Sequence, residues 1–283
     1  MVKTLCYNKN TFMENLLAVI EMVPKDKKLI VFDLDGTLVE TKSKLDEEMA
    51  DLLKQLLAVK KVAVIGGARF ERFKEDLIDR LNAGPELLSN LFLFPTTASS
   101  FYRYNKGEWQ EVYSEKFSQE EKSKIMDAFE KSFREINYAN PEKIYGELIE
   151  DRDSQITFSA LGQDVVKELG EEGIQLKKKW RDENQELKIK LTQTLQKYLP
   201  DFEVRAAGYT SIDITKKGID KEYGIRQIEK HLGVSIEDML FVGDALFKGG
   251  NDNAALKTGV MCFEVKIVED TKKLIRYILE NDF

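Results

Sequence analysis

Apolar positions recur along this chain in two rhythms. Between residues 7 and 25, Phe12, Leu16, Leu17, Ile20 and Val23 fall at helical spacing. Leu29 to Phe32 is then an unbroken apolar run rich in branched residues, the pattern of a strand buried on both faces. Leu45, Met49, Leu52, Leu53, Leu56 and Leu57 mark one face of a helix over 45–57. Residues 61–65 form a second apolar run, ending at Gly66 and Gly67; 70–81 reads as helix and 91–95 as a short strand. Strand, helix, strand, helix, strand predicts a parallel α/β sheet.

The rhythm changes in the middle. Residues 101–113 read as a hairpin around Asn105-Lys106-Gly107, and 119–136 as a polar helix. Residues 155–160, 202–205 and 211–215 alternate like half-exposed strands, and 185–198 is helical. This pattern suits an antiparallel sheet with helices on one face. Parallel character then returns: a helix over 221–231, a buried strand from Met239 to Asp244, a last strand at 261–265 and a closing helix over 269–279. The expected organisation is a core of residues 1–110 and 217–283, with an α+β domain of residues 111–216 inserted in it. No low-complexity linker or internal repeat marks the joins.

Composition narrows the setting. The chain has 283 residues, 42% hydrophobic and 33% charged, with a net charge of −7, as a globular protein with a real core requires. An acidic balance without a basic stripe argues against a nucleic-acid partner, and no apolar run reaches membrane-spanning length. The N-terminal residues lack the sustained apolar core of a signal peptide. Two cysteines, Cys6 and Cys262, make neither a disulfide framework nor a metal site and suit a reducing cytoplasm. His231, the single histidine, stands in a helical stretch with no Gly-x-Ser-x-Gly elbow to accompany it, and reads as a surface residue.

The chemistry gathers where the buried strands end. Asp33 and Asp35 follow the first apolar run at once, with Gly36 allowing a sharp turn and Thr37 adding a hydroxyl. A strand has a side-chain period of two, so both carboxylates lean to one side if the extended form continues. Two like charges that close need a cation, a shared proton, or both. A hard divalent cation, Mg2+, is the natural partner for such oxygen ligands; the bland alternative is a solvated turn. In parallel sheets ligands sit beyond the carboxyl ends of the strands, so Asp33 and Gly66–Gly67 are expected in one crevice. There the glycines can bring backbone N–H groups to a phosphate. Asp244 ends another buried strand, so Asp33, Asp35 and Asp244 are expected to converge as ligands of one metal. Asn251 and Asp252 are candidates to hold its waters or to orient Lys221.

Five segments carry a resemblance: VFDLDGTLVETKSKLDEEM (31–49), VAVIGGARFE (62–71), LFLFP (91–95), TSIDITKKGIDKEYGIRQIE (210–229) and LFVGDALFKGGNDNAALKTGV (240–260). Together they resemble the haloacid-dehalogenase superfamily, and within it the subfamily IIB that holds eukaryotic-type phosphomannomutases and Cof-like sugar phosphatases. The resemblance implies a Rossmann-like core with an inserted cap, and a small phosphorylated substrate. It implies that Asp33 is the nucleophile and forms an aspartyl-phosphate, and that Asp35 is the general acid and base. It implies Mg2+ on Asp33, Asp244 and the Asp35 carbonyl, with Lys221 neutralising phosphoryl charge. Gly66 stands where the superfamily commonly has Ser or Thr, a feature shared with the phosphomannomutases.

Substrate choice is expected on the cap. Arg152 aligns with a phosphate-gripping arginine of the mutases, and Ser211 and Asp213 with their Ser-x-Asp. Gln163 stands at the next arginine position, and a third arginine has no match. A mutase needs a strong second phosphate site, so the expectation is a phosphatase acting on a sugar phosphate, with a mutase as the alternative. A silent binding module is disfavoured by the intact Asp33, Asp35, Lys221 and Asp244. A nucleotide-dependent oxidoreductase is disfavoured because no Gly-x-Gly-x-x-Gly follows the first strand. Monomer and homodimer both stay open.

Overall fold

A computed structural model describes residues 4–5, 12–40 and 43–281. It divides into two compact units, residues 1–113 with 220–283 and residues 114–219. These joins fall three residues beyond those read from the sequence. Cys6 and the start of the first expected helix lie outside the described residues.

The larger unit is built on an eight-stranded sheet. Its strands are β1 (Thr4–Leu5), β2 (Leu29–Asp33), β3 (Lys61–Ile65), β4 (Leu91–Phe94), β5 (Ser100–Asn105), β6 (Glu108–Ser114), β11 (Met239–Gly243) and β12 (Met261–Glu264), the intervening β7–β10 belonging to the smaller unit described below. Their order is β1-β12-β11-β2-β3-β4-β5-β6. Pairing is parallel from β1 to β4, and β4 pairs antiparallel with β5. The hairpin read at 101–113 thus extends the core sheet at its edge.

Alternate residues of β2 serve opposite faces. Ile30 and Phe32 join one apolar cluster, and Leu29 and Val31 the other. Both faces are covered, which is why the strand reads as a continuous apolar run and not as an alternation. The helix Glu47–Val59 starts at Asp46, whose carboxylate accepts the Met49 N–H at 2.8 Å, and it buries Met49, Leu52, Leu53, Leu56 and Leu57.

Two expected helices differ from their sequence patterns. The first ends at Ile20 and not near 25; Pro24 disfavours the helical conformation at Val23. The stretch 70–81 is broken: helical turns Phe70–Phe73 and Asp79–Leu81 flank a π-helical turn at Lys74–Ile78. Such a bulge shifts the faces that side chains occupy, and such bulges are often found at functional sites.

The smaller unit holds a four-stranded antiparallel sheet, order β7-β8-β10-β9, of β7 (Ile149–Asp151), β8 (Ile156–Ser159), β9 (Phe202–Ala207) and β10 (Ser211–Lys216). One face, with Ile156, Phe158, Ile212 and Ile214, packs with residues of the helices Gln119–Ile136 and Glu171–Tyr198. The second helix begins earlier than the 185 read from the sequence and is kinked at Asn184. Thr157, Ser159, Ser211 and Asp213 alternate with those apolar residues on the opposite, polar face. No described helix in either unit is long and apolar enough to cross a membrane.

Candidate active site

Register places the acids. Asp33 lies opposite Ile65, and Ile65 opposite Phe94. Gly66 therefore stands one residue beyond Asp33's neighbour, at the carboxyl edge of the sheet. Val242 lies opposite Phe32 on the other side, so Asp244 leaves the sheet at the same edge. Lys221 is the first residue of the helix Lys221–Leu232, which Asp220 caps by accepting the Tyr223 N–H at 2.9 Å.

Carboxylate oxygens of Asp33, Asp244 and Asp252 lie within 4.8 Å of one another. The Lys221 ammonium donates to Asp33 Oδ1 and to Asp252 Oδ1. The other Asp252 oxygen accepts the Ala245 N–H at 2.9 Å, so the loop that follows β11 is folded back onto its own aspartate. Two glycines make room for this. A Cβ on Gly243 would lie 2.4 Å from Asp252 Oδ2, and one on Gly36, whose φ is +88°, would lie 2.6 Å from Asp244 Oδ2.

Burial sets the electrostatics. Asp33, Lys221 and Asp252 are all buried. Burial pushes the Asp33 carboxyl well above the ordinary range; Lys221 opposes this, while Asp252 and Asp244 reinforce it. Burial, then the Asp252 charge, raises Asp244 to about 7. Burial alone would lower Lys221, but the charges of Asp252 and Asp33 hold it above its ordinary value, firmly protonated. Three carboxylates against one ammonium leave negative charge unbalanced in a dry site, which is costly. An all-oxygen, partly anionic donor set of this kind fits a hard divalent cation. Thr37 Oγ1, buried in the loop after β2, has no hydrogen-bond partner among the described residues.

The remaining sequence candidates take distinct places. Asp35 is half-buried and forms an isolated bridge with Val39; its carboxylate is not one of the three clustered groups, though its charge acts on Asp244. Gly66 donates its N–H to Phe94 O at 3.2 Å, and a Cβ there would crowd Leu34 at 3.0 Å and Phe73 at 3.1 Å. Gly67 follows it in the loop. Asn251 is exposed, whereas Asp252 is fully buried.

In the smaller unit, Arg152 is held by Glu150, Nε to Oε2 at 2.8 Å and Nη2 to Oε2 at 2.6 Å, and reaches Gln163 Oε1 at 3.3 Å. Asp213 accepts the Thr157 hydroxyl at 2.8 Å. Ser211 faces Ser159 in register.

Sequence reasoning passed over one pair with a buried carboxylate. Arg72 Nη2 meets Asp76 Oδ2 at 2.7 Å. Burial raises Asp76 to about 6, against the pull of Arg72 and with the help of the Asp35 charge. The signal was present as an Arg and an Asp four residues apart, a spacing that pairs on a helix, with the Asp beside the apolar Leu77 and Ile78.

Several known proteins resemble this chain. A phosphomannomutase of Encephalitozoon cuniculi is 28% identical over 233 residues, covering 82% of this chain and 85% of that protein. A phosphomannomutase of Saccharomyces cerevisiae is 25% identical over 241 residues, covering 83% and 88%. Among solved structures, an IMP-nucleotidase of Plasmodium falciparum superposes with a TM-score of 0.69 at 15% identity, over 97% of this chain and 75% of that one. A haloacid dehalogenase-like hydrolase of Bacteroides thetaiotaomicron superposes at 0.55 with 15% identity, over 87% and 91%; at such identities these two speak for the fold. The family model for haloacid dehalogenase-like hydrolases spans residues 30–259, taking in Asp33, Lys221, Asp244 and Asp252 together, and the chain belongs to that family.

Proposed function

We propose that this hydrolase is a Mg2+-dependent phosphatase of a small phosphorylated metabolite, a sugar phosphate, working through an aspartyl-phosphate. The observation that carries this reading is the Lys221 ammonium set between Asp33 and Asp252, with Asp244 alongside. A carboxylate nucleophile facing a phosphate dianion needs its own charge and that of the phosphate offset, and a buried lysine in this place does that.

In this reading Asp33 attacks phosphorus in line. The ester P–O bond breaks, its electron pair goes to the leaving oxygen, and Asp35 gives that oxygen a proton. Asp35 then takes a proton from the water that attacks phosphorus, the bond to Asp33 breaks, and inorganic phosphate leaves. Lys221 balances phosphoryl charge, Asp252 orients Lys221, and Gly67, with Gly66 beside it, lines the phosphoryl site. Asp33, Asp244 and the Asp35 carbonyl would hold Mg2+, with Asn251 near its waters. The ion screens nucleophile and phosphate from each other.

Substrate selection is assigned to Arg152, Ser211 and Asp213. Arg152 is already paired with Glu150, and its second neighbour is the Gln163 amide. A guanidinium so committed is a poor grip for a second phosphate, which supports a phosphatase over a mutase. The mutase is kept as a second reading because relatives named phosphomannomutase align along most of the chain. The reading places the enzyme in a reducing cytoplasm, in keeping with a chain of only two cysteines.

The decisive assay offers mannose 1-phosphate or glucose 1-phosphate with Mg2+, with and without a hexose 1,6-bisphosphate. Free phosphate without hexose 6-phosphate is the expected result. Hexose 6-phosphate formed only with the bisphosphate would establish the mutase. Full activity in EDTA would overturn the metal-dependent mechanism.

A further inference from the structure

The segment that carries Asp35 is tied to a second element, the interrupted helix over 70–81. Leu34 stands between the two aspartates, and Phe73 ends the helical turn Phe70–Phe73. Both crowd Gly66: a Cβ there would lie 3.0 Å from Leu34 Cβ and 3.1 Å from Phe73 Cζ. Leu34, Leu38 and Leu45 share one apolar cluster with Phe73, Leu77 and Ile78. Just before the helix Glu47–Val59, Leu45 N–H donates to Asp76 O at 2.8 Å, and Arg80 Nε donates to Leu45 O at 3.4 Å.

The π-helical turn Lys74–Ile78 buries three consecutive residues, Asp76, Leu77 and Ile78, more than the single stripe of a regular amphipathic helix. It thereby brings a carboxylate in among apolar side chains, where Arg72 Nη2 meets it at 2.7 Å. An ion pair in such a place adds little stability over apolar packing, and turns of this kind are rare outside functional sites. The nearest chemistry is that of Asp35. Beside the larger effect of burial, the Asp35 charge raises both Asp76 and Asp244, acids that belong to different elements.

We propose that Asp76, fixed by Arg72, is a positioning residue that orients the Asp35 carboxylate for proton transfer with the ester oxygen. Asp35 is half-buried and its carboxylate stands outside the three clustered groups, so the acidic cluster does not by itself set its direction. A fixed like charge repels it from the π-helical turn, and the ties at Gly66 and Leu45 hold the two segments in place. This rests on the reading of Asp35 as general acid and base.

The test compares leaving groups. A sugar oxygen needs a proton to leave, whereas p-nitrophenolate leaves without one. kcat/KM covers the steps up to departure of the first product, so hydrolysis of the aspartyl-phosphate does not enter it. Asp76→Asn keeps the shape and removes the charge. It is expected to lower kcat/KM for glucose 1-phosphate by about tenfold or more, and for p-nitrophenyl phosphate by less than about threefold. Arg72→Gln should show the same split. A merely structural role would lower both substrates together, and the ratio between them does not depend on how much of a variant is folded. In an Asp35→Asn background, Asp76→Asn should cost less than about twofold more, because a residue that acts through Asp35 then has nothing to act on. A wild-type ratio in Asp76→Asn, or an effect undiminished in the Asp35→Asn background, would overturn the proposal alone. If wild type hydrolyses neither ester, or Asp35→Asn keeps the wild-type ratio, the reading of Asp35 fails and the proposal with it.

Discussion

Lys221 and Asp252 are joined across 31 positions of sequence as a buried ion pair, and the second oxygen of Asp252 is held by the Ala245 N–H. The aspartate is thus fixed from both sides and aims the ammonium at Asp33. Asp252→Asn should leave Lys221 with Asp33 as its one remaining carboxylate partner. Breaking a buried pair from one side costs about 3–5 kcal/mol, so a clear fall in the urea midpoint is expected. Phosphate release should drop by about 100-fold if the aim of Lys221 matters to the transition state. Unchanged kcat would make the pair purely structural.

Asp33→Asn should separate stability from chemistry. The substitution removes the nucleophile and should lower phosphate release by about 1,000-fold or more. It also breaks the buried Lys221–Asp33 pair while relieving the repulsion of Asp33 by Asp252 and Asp244; the two effects oppose, so Tm without metal is expected to change less than in Asp252→Asn. Loss of activity together with a large loss of Tm would point to misfolding instead.

Mg2+ should stabilise wild type by mass action, by about 2.7 kcal/mol at a concentration 100 times Kd. Asp244→Asn should abolish most of that gain, because it removes one of the three clustered carboxylates. Thermal unfolding with EDTA or with Mg2+ reads both. An equal Mg2+ shift in the variant would place the ion elsewhere.

Asp76 supplies a pH signature. Its carboxyl stands at about 6 in the folded protein against an ordinary 3.8. Between those values the folded state binds the proton and the unfolded state does not, so stability falls as pH rises through the window. That difference corresponds to roughly 3 kcal/mol. Asp76→Asn should be flatter from pH 4 to 6, and its stability relative to wild type should climb over that range and level off above about pH 7. Parallel urea titrations of both proteins at pH 4, 5, 6 and 7.5 check this; parallel curves would refute it.

Two glycines should answer alanine differently. Gly233 ends its helix at φ +64° with open space around it, so Gly233→Ala should cost about 1 kcal/mol with kcat unaffected. In Gly243→Ala the new Cβ meets Asp252 Oδ2 at 2.4 Å, and Asp252 is held by Lys221 and Ala245. Phosphate release should fall far more than stability does. Equal kinetic effects from the two substitutions would argue against a rigid Asp252.

Much of this molecule was legible from local pattern. The buried strands β2, β3 and β11 are continuous apolar runs because both their faces are covered. Asp33, Gly66 and Asp244 were assignable to one edge because parallel strands end on the same side. The capping box of the helix Gln119–Ile136, Ser118 with Glu121, is likewise written in neighbouring residues.

Convergence of side chains is another matter, since it depends on strand order, loop path and the direction of each Cβ. Nothing local tells that Asp252, and not the Asp35 carboxylate, completes the acidic cluster, or that Lys221 divides itself between two carboxylates. The π-helical turn that buries Asp76 interrupts a pattern that reads as one plain helix. The hairpin of β5 and β6 alternates like any exposed ribbon, yet it joins the core sheet because β4 offers it an open edge. The left-handed turn of Thr96–Ala98 runs against the local preferences of its own residues. It exists because two carbonyls of the Gly66–Ala68 loop and the packing of Ala98 against Gly224 hold it there, and those partners meet only once the sheet has closed.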